Sequence, residues 1–349
     1  MQSSRTPFHC FVPPHILDHM IESPDPQIRR QAVDTIAVGA EARAMRATLR
    51  TLPIMAAIPS PAATKYRLIY DMKQKRSPLP GKLARSEGER KVKDQAVNEA
   101  YNNAGHAYDF YKKVFNRNSI DDQGMALIAC VHYGRRINNA FWNGEQMLYG
   151  DGDGTIFVGF TKSLDVAGHE MTHGVLMYEC NLIYQGEPGA LNEHFADVMG
   201  TLIEQWRRKE TVEQANWLIG DEIMGPGVTA KAIRTMKAER AYENDPILGT
   251  DPQPKHIKHK YTGQADNGGV HINSGIPNHA FYRVAIELGG YAWEKAGSIW
   301  YKTMRKLHAK SNFQEAAQTT YLVAGADYGR GSKEQKAVKA AWAAVGIYV

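Results

Sequence analysis

The chain of 349 residues carries 42 lysines and arginines against 37 aspartates and glutamates, a formal charge of +5, with 43% hydrophobic and 23% charged residues. That balance is ordinary for a folded globular chain and excludes collagenous and low-complexity architectures, while the length suggests roughly two domains at ~150 residues each. No apolar stretch approaches the ~18 residues of a membrane helix, and Cys10, Cys130 and Cys180, an odd number without Cys-x-x-Cys spacing, suggest neither a disulfide framework nor a cysteine zinc site.

In chain order, the stretch Phe8 to Ile16 is interrupted by His9, Pro13, Pro14 and His15, which denies it the apolar centre of a signal peptide and argues against ordinary export. Residues 24–50 read as one helix: Asp25 suits the N-cap, Pro26 the first helical position, and Ile28, Ala32, Val33, Ile36 and Ala40 recur at helical spacing. The same segment collects Arg29, Arg30, Arg43, Arg46 and Arg50. Pro53, Pro59 and Pro61 among small residues mark a linker over 51–64. From Tyr66 to about Phe160 short strands (66–70, 125–133 and 146–149) alternate with Gly, Asn and Asp turns around one long helix, 91–115. After Asp165 helical patterns dominate, at 165–180, 189–208, 275–289, 291–310, 312–326 and 332–344. A β-rich lobe followed by a helical lobe is an α+β arrangement.

The chemistry concentrates at the start of the helical lobe. In the run Gly168 to His173 (GHEMTH), His169 and His173 stand at i and i+4, on one helix face and close enough to share a tetrahedral zinc. Glu170 sits about 100° round the helix, where it can address a water on the open side of the metal. This is the H-E-x-x-H pattern of metallohydrolases, in which the glutamate is the general base. The turn Gly186 to Gly189 then reverses the chain and a second helical pattern offers Glu193 and Asp197, again at i and i+4. Glu193 suits the third ligand, and Asp197 suits the carboxylate that accepts the free N–H of a zinc-bound histidine. Two histidines and one glutamate leave a fourth position for water, the arrangement of catalytic zinc.

With these residues the chain resembles the thermolysin-like (M4) zinc metallopeptidases. The resemblance runs over residues 66–349 on Asn139 to Asn143 (NAFWN), Asp151 to Gly154 (DGDG), Gly168 to His173, Leu182 to Gln185 (LIYQ), Asn192 to Asp197 and Asp266 to Gly275 (DNGGVHINSG). It implies a two-lobed zincin, with one catalytic zinc in the cleft between a β-rich N-terminal lobe and an α-helical C-terminal lobe. The segment Phe11 to Leu17 (FVPPHIL) resembles the short propeptide of the protealysin subgroup. The implied divisions are a helical, inhibitory propeptide over 1–52, a linker over 53–65, and catalytic lobes over 66–176 and 177–349.

Site roles follow from the same resemblance. It makes Tyr184 and His271 donors to the oxyanion of the tetrahedral intermediate, with Asp266 holding the His271 imidazole. It makes Asn139 and Ala140 the edge that binds a peptide as an added strand. Phe157, Phe160, Val166 and Ile233, with Arg234 beside them, match the pocket for the residue after the scissile bond, implying a preference for bulky apolar side chains. Asp165, Glu204, Asn216 and Asp221 match part of the family's calcium cluster, and one calcium ion is expected there; Leu218 and Asn216 stand where a second ion needs carboxylates. Asp151 to Gly154 starts like an EF-hand loop, but Ile156 at position six and Lys162 at position twelve break that pattern, so it reads as a turn.

The N-terminal segment admits three readings: a nucleic-acid arm, a partner-binding module, or an inhibitory prosegment removed by the enzyme itself. The last is favoured because Leu52, Ile54 and Met55 offer apolar residues to the pocket from the linker. Cys10 is read as a small hydrophobe against the catalytic surface in preference to a thiolate ligand of a latent zinc. The leading expectation is a monomeric zinc endopeptidase acting on peptides or proteins and on its own propeptide, with no nucleic-acid partner. It is expected outside the cell by a signal-independent route, with a cytoplasmic site as the alternative. The rival from another class is a peptide-binding protein that keeps zinc without turnover.

Overall fold

The structure, a computed structural model, describes residues 10–51 and 64–349, with side chains for 10–41 and 64–349. Most of the expected linker, with Leu52, Ile54 and Met55, lies outside the described residues. The chain opens with α1 (Pro14–Ile21) and α2 (Pro26–Thr51). Asp25 caps α2 by accepting from the Gln27 N–H at 2.7 Å, and Pro26 sits in the first turn, where no amide donor is needed.

The β-rich lobe is built on β1 (Arg67–Asp71), β2 (Lys82–Ser86), β3 (Leu127–Val131), β4 (Ala140–Trp142) and β5 (Met147–Tyr149), in the order β2-β1-β3-β5-β4. The central pairs β1–β3 and β3–β5 are parallel, and the outer pairs β1–β2 and β4–β5 antiparallel. This leaves β4 at an edge, with its backbone open to another strand. The helix α3 (Gln95–Phe115) packs on β1, β3 and the next helix. It starts four residues later than the periodicity suggests because the Asp94 side chain caps it, accepting from the Val97 N–H at 3.3 Å.

Two helices carry the chemistry, α4 (Leu164–Glu179) and α5 (Gly186–Arg208). Small residues set their separation: a Cβ on Gly168 would lie 3.0 Å from Gly200 Cα, and one on Gly200 would lie 2.6 Å from the Asp165 carbonyl oxygen. Only glycine at both positions permits this approach, which brings the two pairs of i, i+4 side chains together. The expected turn over Gly186 to Gly189 is instead the first turn of α5, where Pro188 loses no helical hydrogen bond.

Beyond α5, β6 (Leu218–Ile219) and β7 (Arg234–Thr235) form an antiparallel pair beside the cleft. Helix α6 (Ala265–Asn273) contains four consecutive left-handed residues, Asp266 to Gly269, with φ between 51° and 80°. Then come α7 (Gly275–Leu288), α8 (Ala296–Met304), α9 (Phe313–Tyr328) and α10 (Lys333–Ala344). The expected helix 291–310 shrinks to α8. Residues before it form a turn closed by Gly297 N–H to Ala292 O at 2.8 Å, and those after it lend the Ala309 carbonyl to Ile183 N–H at 2.8 Å. A mixed sheet followed by packed helices is the expected α+β architecture, and among the described residues no helix is long and apolar enough to cross a membrane.

Candidate active site

His169 and His173 project from one face of α4 toward α5 and are fully buried. His169 Nδ1 lies 2.9 Å from Asp197 Oδ1 and His173 Nδ1 lies 2.8 Å from Asn192 Oδ1. Both partners only accept at those atoms, so each Nδ1 carries the proton and each Nε2 lone pair points the other way. The two Nε2 atoms face one another at 3.0 Å, and the Glu193 carboxylate lies 3.4 Å from one and 3.5 Å from the other. Three buried acceptors so arranged repel one another unless a cation joins them. Their separations match the roughly 3.3 Å edge of a tetrahedron with metal bonds of ~2.0–2.1 Å, so the donor set fits zinc. Burial opposes charge on His169, yet Asp197 and Glu193 hold its pKa up at about 9, so the two carboxylates draw a positive charge to this point, whether a proton or a metal ion. Among the described residues, His169, Glu170 and His173 form the one cluster of three or more His, Cys, Asp or Glu side chains close enough to hold a metal.

Glu170 leans toward the sheet, where its Oε2 accepts from the backbone N–H of Trp142 on β4 at 2.7 Å. Opposite, the left-handed turn of α6 brings the Asp266 carboxylate back onto His271: Oδ2 accepts from the His271 backbone N–H at 2.7 Å and Oδ1 faces Nδ1 at 2.6 Å. Burial disfavours an imidazolium at His271, but Glu193 and Asp266 outweigh it and hold the pKa well above the usual histidine range. Tyr184 lies between, its hydroxyl donating to Glu193 and standing 3.2 Å from His271 Nε2. Burial and the Glu193 charge hold the phenol protonated, so it remains a donor.

Arg234 enters from β7 and clamps Asp197, with Nε to Oδ2 at 2.9 Å and Nη2 to Oδ1 at 2.6 Å. Burial is costly for both, and their mutual charge holds the Asp197 carboxyl far below the usual range. The resemblance set Arg234 beside a pocket; the structure adds that it orients the carboxylate that orients His169.

The cleft is filled by the chain's own N-terminal segment. Phe11 N–H donates to Ala140 O at 3.3 Å, Val12 N–H donates to Asn139 Oδ1 at 2.9 Å, and Asn139 Nδ2 donates to Val12 O at 3.2 Å, so residues 11 and 12 lie along the edge at β4, held by one backbone bond and the Asn139 side chain. Arg234 Nη1 donates to Phe11 O at 3.0 Å, and His271 Nε2 lies 3.0 Å from Cys10 O. The Phe11 ring is fully buried, 5.2 Å from the His169 ring and 4.9 Å from the Arg234 guanidinium. A Cβ on Gly220 would lie 2.7 Å from that ring and 3.0 Å from Ile233 Cγ1, which puts Gly220 and Ile233 in the wall of its pocket. Phe157, Phe160 and Val166 are fully buried in the same core. Cys10 is a packed thiol: its Sγ donates to Val12 O at 3.4 Å and burial raises its pKa.

The four expected calcium residues divide. Asp165 is buried and accepts from Gly220 N–H at 2.6 Å, and Glu204 is buried beside it on α5. Burial and the nearby Asp165 charge raise the Glu204 pKa. Arg208, one turn on, places Nη2 2.8 Å from Glu204 and 2.9 Å from Glu222. Asn216 is exposed; its amide NH2 donates to Asp221 Oδ2 at 2.9 Å and its oxygen accepts from Leu218 N–H at 2.9 Å.

A second layer of residues escaped the sequence reading. Asn278 on α7 donates to Asp197 Oδ2 at 2.9 Å and accepts from His194 Nδ1 at 2.7 Å, while Trp300 Nε1 donates to His194 Nε2 at 2.7 Å. This chain ties the helical core to the ligand helix. His194 sits next to Glu193 on α5, and burial pushes its pKa down to about 4, so it is neutral and structural.

Comparison with known proteins gives the same assignment. The family profile "Thermolysin metallopeptidase, catalytic domain" matches residues 62–177, and "Thermolysin metallopeptidase, alpha-helical domain" matches 180–347. The chain is 46% identical over 291 residues to an extracellular metalloprotease of Pectobacterium carotovorum subsp. carotovorum, covering 83% of each. It is 41% identical over 263 residues to thermolysin of Alicyclobacillus acidocaldarius subsp. acidocaldarius, covering 73% of this chain and 46% of that one. The solved precursor of protealysin, a metalloproteinase from Serratia proteamaculans, superposes with a TM-score of 0.86 at 42% identity, covering 97% of this chain and 99% of that one. The chain therefore belongs to the thermolysin-like (M4) family and is a zinc metalloendopeptidase.

Proposed function

We propose that the chain is a latent precursor of an endopeptidase that cuts peptides on the amino side of bulky apolar residues and removes its own N-terminal segment. One observation carries this reading: Phe11 lies buried between His169, Arg234 and Ile233 while its backbone lies along the edge at β4, so the cleft already holds an extended peptide with an aromatic side chain in a closed pocket. The segment thus serves as an inhibitory propeptide over 1–52, joined through the linker 53–65 to lobes 66–176 and 177–349. The pocket is assigned to Phe157, Phe160, Val166, Ile233 and Arg234, and the peptide-binding edge to Asn139 and Ala140.

The geometry supports the following roles. His169, His173 and Glu193 hold one zinc, which when bound lowers the pKa of a water and polarises the scissile carbonyl. Glu170, held by Trp142 N–H, takes the water's proton and delivers it to the departing amine. His271, kept protonated by Asp266, and Tyr184 donate to the oxygen on which negative charge develops. Asp197, held by Arg234, fixes the His169 tautomer.

Three finer points complete the proposal. A single calcium ion at Asp165, Glu204, Asn216 and Asp221 is supported by the Glu204 carboxyl, whose pKa burial and the Asp165 and Asp221 charges raise, with Arg208 supplying part of the countercharge. Release outside the cell is supported by the extracellular relative. The enzyme acts as a monomer. The test of the reading is a panel of peptides varied only at the residue after the cut. Turnover should favour Phe and Leu by at least tenfold over Asp or Gly, and equal rates across the panel would refute it.

A further inference from the structure

We propose that the prosegment is held as a substrate, with the Cys10–Phe11 peptide bond in the position of hydrolysis, so that the precursor's first self-cut falls between Cys10 and Phe11. The inference rests on the peptidase reading above and names the bond on which that site acts first.

A plug blocks a cleft with side chains. This segment instead engages it through backbone atoms on both sides of one bond. On the carboxyl-terminal side, Phe11 N–H, Phe11 O, Val12 N–H and Val12 O meet Ala140 O, Arg234 Nη1, Asn139 Oδ1 and Asn139 Nδ2 at 2.9 to 3.3 Å. On the amino-terminal side, the Cys10 carbonyl oxygen lies 3.0 Å from His271 Nε2, which is itself 3.5 Å from the ligand carboxylate of Glu193. The strand that accepts the Phe11 N–H through Ala140 also holds Glu170 through Trp142, two residues along. The amide nitrogen that would leave and the carboxylate that would protonate it are therefore held by one strand. The carbonyl that would be attacked is held by the imidazole opposite.

The step is a hydrolysis. A water oxygen bonds to the Cys10 carbonyl carbon, the bond to the Phe11 nitrogen breaks, and the proton released by the water passes to that nitrogen. The second proton follows, so the products are a Cys10 carboxylate and a Phe11 ammonium, and water is the sole co-reactant. Downstream of the cut, the fragment stays anchored. Ile16, Leu17 and Met20 of α1 are buried, Thr35 Oγ1 of α2 accepts from Asn138 N–H at 3.2 Å, and Glu41 pairs with Arg76 at 3.0 Å. A nicked chain that keeps residue 11 onward docked is the expected first product, and latency persists until the linker is opened.

The experiment follows the zinc-loaded full-length chain by intact mass and N-terminal sequencing, with an external Phe-containing peptide in the same tube. The expected result is a species lacking residues 1–10 and beginning Phe-Val-Pro, absent from Glu170→Gln and from chelated samples. Phe11→Gly should slow this cut at least tenfold. A second readout needs no turnover: in the Glu170→Gln background, Phe11→Gly should raise trypsin cleavage at Arg29 and Arg30 at least tenfold, and an unchanged rate contradicts the docking. A loaded chain whose Cys10–Phe11 bond stays intact, while the same preparation opened at the linker by an added protease hydrolyses the external peptide, overturns this inference alone. An opened, zinc-loaded preparation that hydrolyses nothing overturns the peptidase reading with it.

Discussion

Nδ1 of His169 lies 2.9 Å from Oδ1 of Asp197, and that contact decides which ring nitrogen faces Glu193 and His173. Asp197 is in turn gripped by Arg234 and Asn278, so the ligand's tautomer is set by residues from β7 and α7. Asp197→Asn should weaken zinc binding about 10–100-fold. It also strands the buried Arg234 charge, at a cost of roughly 3–5 kcal/mol. Competition with a chelating dye and a denaturant melt check the two parts, and unchanged zinc affinity would contradict the tautomer argument.

Removing the proposed oxyanion donor should separate catalysis from binding. His271→Ala should lower kcat about 10²–10³-fold with a much smaller change in KM, because the contact strengthens as charge develops. Steady-state kinetics on processed enzyme checks this, and a loss confined to KM would assign His271 to substrate binding alone.

Docking of the prosegment should weaken in acid. His15 on α1 is buried against Tyr242, its Nε2 2.9 Å from the hydroxyl, and Nδ1 has no hydrogen-bond partner among the described residues. Burial, with the nearby charges of His271 and Arg234, pushes its pKa down to about 3 from 6.5. The released segment binds the proton more readily, so docking is strongest above pH 6.5 and loses up to about 1.4 kcal/mol per pH unit as pH falls toward 3. In Glu170→Gln precursor, trypsin cleavage of α2 should rise up to about tenfold between pH 6.5 and 5.5 after correction for trypsin's own profile. The same rise in His15→Gln would contradict the assignment.

Calcium offers a test of the acidic pair. Millimolar calcium should raise Tm by several degrees in wild type and not in Glu204→Gln. Absence of any shift in wild type would mean that a proton and Arg208 already neutralise Asp165 and Glu204.

Gly220→Ala should exclude Phe from the pocket more than smaller residues, because a methyl there reaches 2.7 Å from the aromatic ring in the present packing. The backbone at φ 73° adds strain whatever the ligand. The kcat/KM ratio of Phe to Ala peptides should fall at least tenfold, and a uniform loss would mean the effect is strain alone.

The candidate metal centre was legible in the sequence because its proposed donors sit at i and i+4 on two consecutive helices, where helical geometry fixes which side chains share a face. His169, His173, Glu193 and Asp197 all followed from that rule. The mixed character of the chain was legible for the same reason, as a change from short strands to long helical patterns near Asp165. What escaped depends on contacts distant in sequence. Asn278 and His194 act through side chains 84 residues apart, and no local pattern distinguishes them from ordinary core amides and histidines. Gly220 matters only because Phe11 lies against it. Strand β4 was hidden in a stretch rich in turn formers, since an edge strand of three residues owes its conformation to β5. Asn216 matches a ligand position by resemblance, and its contacts with Leu218 N–H and Asp221 lie in a local turn that the resemblance does not describe.

The most direct test of the central claim compares wild type with Glu170→Gln, each processed by an added protease and each shown by metal analysis to hold one zinc per chain. The account predicts that wild type hydrolyses a peptide before Phe at a chelator-sensitive rate and that Glu170→Gln is at least a thousandfold slower with zinc content unchanged. Equal rates at equal zinc content would contradict the assignment of Glu170 as the general base, and with it the proposed mechanism of hydrolysis.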